Sequence, residues 1–205
     1  MRYTTLLCAV TCCIMLTGCQ PLAKMVFGIR MIDHYEEKDC LSFLEESRKY
    51  LECTQIVSSR EQFDSVIRLD TSEAMMQHLG QPVQVHYFDG DSATSFLVQC
   101  YAQSGMFSVD WNHGGWFDSF PPASSVPEAF GHLTLDRYRD IYPDLKPTRR
   151  RTILIFWNNV LRSVSMKAVK AVAQNIAGHE AECQVVLVNT DQWMAYYINE
   201  SKKKR

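Results

Sequence analysis

Residues 151–191 read RTILIFWNNVLRSVSMKAVKAVAQNIAGHEAECQVVLVNTD, and this stretch decides the fold. TILIFW at 152–157 is an unbroken run of apolar, β-branched and aromatic residues, and QVVLV at 184–188 is another. Runs without polar alternation fit strands covered on both faces, as parallel strands inside an α/β sheet are. Between them Leu161, Val164, Ala168, Val172 and Ile176 recur at three- and four-residue steps, while Arg162, Ser163, Lys167, Lys170, Gln174 and Asn175 take the opposite side. That spacing predicts an amphipathic helix with one buried stripe. Asn158 and Asn159 are placed to cap its start, and Gly178 stands where a left-handed residue closes a helix. Strand, helix and strand then form a right-handed crossover.

Upstream, PVQVHYF at 82–88 alternates, with Val83, Val85 and Tyr87 on one face. DGDS at 89–92 supplies turn chemistry and TSFLVQCY at 94–101 returns, which predicts a β-hairpin. The crossover unit and the hairpin together resemble the thioredoxin superfamily. In that family a strand ending Phe-Trp, here Phe156-Trp157, leads into a Cys-x-x-Cys at the first turn of the helix, and a strand of the QVVLVNTD kind follows. Aligned on Phe156-Trp157, the two cysteine positions fall on Leu161 and Val164, so the resemblance implies the fold without its dithiol chemistry. Pro82, opening a strand that ends Phe88-Asp89, is similar to the cis-proline of the family's closing hairpin. In the family the hairpin follows the crossover unit, whereas this one precedes it. The resemblance therefore implies an α/β fold, a thioredoxin-like mixed sheet flanked by helices in rearranged or permuted order, or a likeness that is partly convergent. An ordinary crossover unit of another α/β fold is the alternative.

At the other end, residues 1–16 carry one basic residue, Arg2, and then the apolar stretch TTLLCAVTCCIML. It is short for a membrane span and right for a signal-peptide core. Leu16-Thr17-Gly18-Cys19 resembles the bacterial lipoprotein box, in which the cysteine is lipidated and becomes the first residue of the mature chain. An uncleaved membrane anchor is the competing reading. Gly28-Ile29-Arg30 is similar to a Gly-Ile-basic segment in a group of small bacterial lipoproteins. The lipoprotein resemblance implies residues 1–18 as signal peptide, 19–24 as lipidated tether, 25–201 as one domain and 202–205 as a basic tail. It places the domain in the periplasm, held to the membrane by acyl chains on Cys19. Gln20 is not the aspartate that retains such proteins in the inner membrane, so the outer membrane is the expected site.

The rest of the chain is less regular. Residues 25–31 (MVFGIRM) read as a first extended segment, and 39–51 (DCLSFLEESRKYL) as a helix with Asp39 at its N-cap and Arg48 and Lys49 in its last turn. CTQIV at 53–57 reads as a short strand. Ser59 with Arg60-Glu61-Gln62 reads as a capping box, 72–79 as a helix ending at Gly80, and 133–142 as a short helix starting near Thr134 or Asp136. Residues 103–130 intersperse Gly105, Gly114, Gly115 and three prolines with Trp111, Trp116, Phe117 and Phe120. A loop of that length is functional or disordered, and its aromatic content argues against disorder. Either the aromatics form a contact surface, or the loop folds back and buries them.

The formal net charge of -2 with 46% hydrophobic residues describes an ordinary globular domain and gives no sign of nucleic-acid binding. Once the leader is removed, Cys40, Cys53, Cys100 and Cys183 remain beside Cys19. They can form disulfides in an oxidising compartment or stay as buried thiols. None of His34, His78, His86, His113, His132 and His179 stands in a metal-ligand spacing, and no P-loop or nucleophile elbow occurs, so no metal or cofactor is expected. Asp33-His34 near Glu36-Glu37 could be drawn as an acid/base cluster, but a solvated helix approach is the plainer reading. His113, inside Asn112-His113-Gly114-Gly115, is the most site-like histidine because glycines permit close backbone approach. A second locus is the start of the crossover helix, where Asn158, Asn159 and Arg162 could hold a carboxylate or phosphate at unpaired backbone N–H groups. The function expected first is a non-catalytic, envelope-anchored module that binds a protein partner. The alternatives are a thiol-dependent redox enzyme or chaperone using Cys100 or Cys183, and a small-ligand binder using the aromatic loop at 105–130 with Trp111, His113 and Trp116.

Overall fold

The computed structural model describes residues 29–98, 110–126 and 133–203. In chain order the elements are α1 (Glu37–Ser47), β1 (Thr54–Val57), α2 (Arg60–Ile67), α3 (Glu73–Leu79), β2 (Gln84–Asp89) and β3 (Ser92–Val98). A short 3-10 turn (His113–Asp118) follows, then α4 (Leu135–Ile141), β4 (Arg151–Trp157), α5 (Arg162–Asn175), β5 (Cys183–Asn189) and α6 (Asp191–Lys203). The five strands form one mixed sheet in the order β1-β5-β4-β2-β3. β1, β5 and β4 run parallel, and β2 and β3 are antiparallel additions beside β4.

The expected crossover is present, since β4 pairs directly with β5 from Arg151↔Cys183 to Trp157↔Asn189. Both faces of these strands are covered, as their unbroken apolar runs require. Ile153, Ile155, Trp157, Val185 and Leu187 point into one core with α1 and α5. Leu154, Phe156, Val186 and Val188 point into a second core with α2, α3, α4 and α6. Phe43 of α1 stacks on Trp157 at 3.7 Å between ring centroids, fixing α1 over the end of β4. The hairpin precedes the crossover in sequence yet lies against β4 in space, giving the thioredoxin-like mixed sheet in rearranged order.

Several local expectations are met atom by atom. Ser59 and Gln62 form a reciprocal capping box at α2, Ser72 caps α3, and Thr134 caps α4. Gly90, at φ +57°, makes the tight turn between β2 and β3. The open edge of β3 is closed by serines, because the N–H groups of Phe96 and Val98 donate to Ser124 Oγ at 3.1 Å and Ser125 Oγ at 3.0 Å. A strand edge satisfied this way offers no ladder to another chain.

Other expectations are corrected. The first helix starts earlier, with Glu36 at its N-cap and Asp39 inside its first turn, and it ends at Ser47, so Arg48 and Lys49 lie past its last turn. Residues 29–32 belong to no strand, and residues 25–28 lie outside the described residues. The return strand starts two residues earlier, at Ser92, and is described as far as Val98, residues 99–101 lying outside the described residues. Lys202 and Lys203 belong to α6 and not to a tail. Among the described residues the cis peptide is Phe120–Pro121, not the bond before Pro82. β2 is buried on both faces, because α4 covers the side opposite Val83, Val85 and Tyr87.

That second face holds a buried polar chain. His86 is enclosed by Phe96, Tyr138 and Phe156. Gln84 Nε2 donates to the carbonyls of Leu79 at 2.8 Å and Gln81 at 3.0 Å, which leaves Gln84 Oε1 facing His86 Nε2 at 2.8 Å. The ring therefore carries its proton on Nε2, and Nδ1 accepts from the Tyr138 hydroxyl at 2.8 Å. Each polar atom of this chain has a partner, but burial penalises the charged imidazolium and lowers the His86 pKa to about 3.

Candidate functional site

The carboxyl ends of β4 and β5 bring the predicted residues Asn158, Asn159 and Arg162 together. Asn158 Oδ1 accepts from the Leu161 N–H at 2.9 Å, ahead of the helix, and its Nδ2 donates to the Pro82 carbonyl at 2.8 Å. Asn158 thus ties the helix entrance to β2. Asn159 turns instead toward the end of β5, where its N–H donates to Asp191 Oδ1 at 2.7 Å and its Nδ2 to Asp191 Oδ2 at 2.7 Å. Asn189 Nδ2 adds a third donor to Asp191 Oδ2 at 2.9 Å. Asp191 is 1% exposed and is the first residue of α6, where a carboxylate also meets the positive end of the helix dipole.

The anion expected at this point is therefore the chain's own side chain. Arg162 reinforces the closure, donating to Asn159 Oδ1 at 3.1 Å, the Asp39 carbonyl at 3.2 Å and Glu46 Oε2 at 3.0 Å. Its guanidinium joins α1 to α5 across the place where an external phosphate or carboxylate would sit. Beside this knot lies a cleft of about 70 Å³ lined by Arg30, Asp33, His34, Glu36, Asp39 and Asp191. Arg30 is paired with Asp39 at 3.1 Å, and His34 lies 2.7 Å from Asp33. The lining is acidic, and no group of His, Cys, Asp or Glu among the described residues is arranged to hold a metal ion. Asp33 and Glu36 are drawn below the usual carboxylate range by hydrogen bonds from His34 and Lys38 respectively, as solvated helix-approach residues are.

The two positions at which the sequence alignment on Phe156-Trp157 set cysteines lie at the start of α5. Leu161 is the N-cap of α5 and Val164 is the third residue of its first turn, buried against the core. The real cysteines are elsewhere. Cys40, Cys53 and Cys183 are free and buried, and Cys100 lies outside the described residues. Burial pushes the Cys40 thiol up to about 12, against the pull of hydrogen bonds donated to the sulfur by the Tyr35 hydroxyl and by Gln55 Nε2, whose nitrogen is 3.1 Å from Sγ. Burial raises Cys53 to about 11 and raises Cys183 as well, with Arg151 opposing the rise only in part. A nucleophilic thiol needs the reverse, a lowered pKa and access.

The aromatic loop folds back onto the sheet. Trp111 is 2% exposed and belongs to the α1/α5 core, with Trp116, Phe117 and Phe120 packed against its margin. Asn175 of α5 holds the loop by two donors, to the carbonyls of Phe117 at 3.0 Å and Ser119 at 2.7 Å, and accepts from the Tyr87 hydroxyl at 3.1 Å. Phe120 lies between His179, stacked at 4.1 Å, and the Arg151 guanidinium at 4.9 Å. Gly115 sits at φ +74°, and a Cβ there would fall 2.6 Å from Asp118 Oδ2, so the turn requires glycine. His113 opens this turn, and its side chain lies outside the described residues. The basic run Arg149-Arg150-Arg151 is spent on structure: Arg149 on Glu52, Arg150 on Asp89 and Arg151 on Glu182.

Sequence reasoning missed Asp191 as the centre of the site. The one signal was an aspartate shortly after a strand ending in asparagine. No family model, curated protein or solved structure matches this chain.

Proposed function

We propose that the chain is a lipid-anchored binding module of the bacterial cell envelope, tethered at Cys19 and acting through its surface rather than through thiol chemistry. The observation that carries the non-catalytic part is the pairing of Leu161 and Val164 at the helix start with thiols that burial holds protonated elsewhere. The Asp191 knot supports it, because the edge where an α/β sheet takes a ligand is closed by internal hydrogen bonds. Support for the anchor is the Leu16-Thr17-Gly18-Cys19 resemblance, which lies outside the described residues. No helix among the described residues is long and apolar enough to cross a membrane. Exposed Leu41 and Tyr50, on α1 and just beyond its end, are apolar surface at which a protein partner can be sought.

The test is insulin reduction by the purified protein with dithiothreitol, run beside cross-linking in intact envelopes. The expected result is no turnover above the reagent blank, and a cross-linked partner that Leu41→Asp loses. Turnover that vanishes on mutation of any one cysteine would overturn the reading.

A further inference from the structure

We infer that the outer edge of β1 is an interface between two copies of this chain, paired antiparallel about a two-fold axis at Ile56; this names the partner of the Leu41 surface and so rests on reading the chain as a binding module. The other sheet edge, on β3, is closed by Ser124 and Ser125. On β1 the Ser58 N–H donates inward, to the Asn189 carbonyl at 2.9 Å. Residues of a strand alternate in direction, so Thr54 and Ile56 also bond to β5, and Gln55 and Val57 turn their N–H and C=O groups outward. The Cys53 carbonyl, on the same outward side, is taken by Arg48 Nε at 3.4 Å. Among the described residues the outward groups of Gln55 and Val57 have no such partner. Apart from being short, Thr54–Val57 lacks the devices that keep an edge unpaired, since it holds no lysine, proline or bulge.

A second copy satisfies these groups in one register. With Ile56 opposite Ile56, Gln55 of each copy faces Val57 of the other. Each such pair exchanges both N–H···O bonds, which uses every outward group of the two residues in both strands. The neighbouring registers fail. Centred on Gln55, Val57 would face Cys53, whose carbonyl Arg48 already holds. Centred on Val57, Gln55 would face Ser59, whose N–H is held by Gln62 at 2.8 Å in the α2 capping box. Ile56, half-buried on the α2 side, then meets its own copy at a non-hydrogen-bonded pair, where Cα atoms approach to about 4.5 Å. The helix above adds apolar surface. Arg162 of α5 holds one flank of α1 through the Asp39 carbonyl, Ser42 and Glu46. Leu41 and Arg48, two turns apart, share the other flank, and the bond from Arg48 to Cys53 places that flank over the β1 edge. Leu41 is 48% exposed there. A two-fold normal to the sheet sets both α1 helices on the same face beside the seam, so each offers its Leu41 to the other. A loose peptide would first have to be ordered, whereas a second β1 is already held in its sheet.

The full chain carrying Ile56→Cys would be expressed in bacteria, oxidised with diamide and run on non-reducing gels, with the parent chain as baseline and Thr54→Cys as the register control. In the paired register the two copies of residue 54 lie about 14 Å apart, beyond the roughly 7 Å that a disulfide spans between Cα atoms. Ile56→Cys should therefore give at least about tenfold more disulfide-linked dimer than Thr54→Cys. Adding Val57→Pro removes an outward N–H that β5 does not use, so the dimer should be lost while the urea transition is kept. Equal yields from the two cysteine variants, no dimer from a folded Ile56→Cys chain, or a dimer that survives Val57→Pro overturns the pairing. If a folded Ile56→Cys chain gives no dimer but Leu41 still captures an envelope protein, the pairing falls and the proposed function stands. Turnover in insulin reduction overturns the proposed function alone.

Discussion

Replacing Asp191 by alanine tests whether the carboxylate closes the site. It removes the acceptors for three buried donors, Asn159 N–H, Asn159 Nδ2 and Asn189 Nδ2, at 2.7, 2.7 and 2.9 Å. Hydrogen bonds to a charged group contribute about 1.5–3 kcal/mol each, and a buried donor left unpaired costs about 1–3 kcal/mol. Relief from burying the carboxylate offsets part of that sum, so the expected net loss is about 3–5 kcal/mol, the range seen when one partner of a buried pair is removed. Asn159→Ala deletes the Nδ2 donor to Asp191 and the Oδ1 acceptor of Arg162, while its backbone N–H still reaches Asp191. In a cycle of Asp191→Ala, Asn159→Ala and the double variant, the coupling should therefore be about 1–2 kcal/mol. Urea unfolding monitored by tryptophan fluorescence is the assay. With a slope of about 2 kcal/mol per molar, the midpoint for Asp191→Ala should fall by roughly 2 M. A fall of less than about 0.5 M, or strict additivity in the cycle, would refute the assignment of Asp191 as the knot's acceptor.

Four further outcomes are expected. His86 has a folded pKa of about 3 against 6.5 when free, so its contribution to stability is complete above pH 6.5 and is lost as pH falls toward 3. The slope there should approach about 1.4 kcal/mol per pH unit in urea titrations, and Tyr138→Phe, which leaves Nδ1 without its donor, should cost about 1–2 kcal/mol at pH 7. Asn175→Ala should release the 3-10 turn from α5, read as faster hydrogen exchange at Phe117 and Gly115 with the sheet amides unchanged. Ser59→Ala removes the hydroxyl half of the α2 capping box and should cost about 1 kcal/mol in the same urea assay.

The elements legible in the sequence were those built from local signals. The apolar runs of β4 and β5, the three-and-four spacing of α5, the glycine turn after Asp89 and the Ser59 cap each act within a few residues, and each lies where the pattern places it. What sequence did not show depends on partners far along the chain. His86 alternates with Val85 and Tyr87 in the sequence, and its burial depends on Tyr138, 52 residues away, as well as on Gln84. Asn159 looked like a helix cap open to an anion, and only the pairing of β4 with β5 brings Asp191 onto it. The start of α1 shifted for a local reason. Asp39 and Glu36 both suit a helix beginning, and Asp39 is drawn inward by Arg30 while Cys40 and Phe43 turn into the core. For the aromatic loop, composition left surface and core readings open, and Asn175 on a different element decides between them.

The most direct measurement of the proposal that Cys40, Cys53 and Cys183 carry no thiol chemistry is iodoacetamide labelling of the native protein between pH 6 and 10, resolved by peptide mass spectrometry. Cys40, Cys53 and Cys183 should stay unmodified at neutral pH until denaturant is added, and labelling of Cys40 and Cys53 should rise only toward pH 10, because burial lifts them to about 12 and about 11. Rapid modification of any of the three at pH 7 would contradict it, since only an accessible thiolate reacts at that rate.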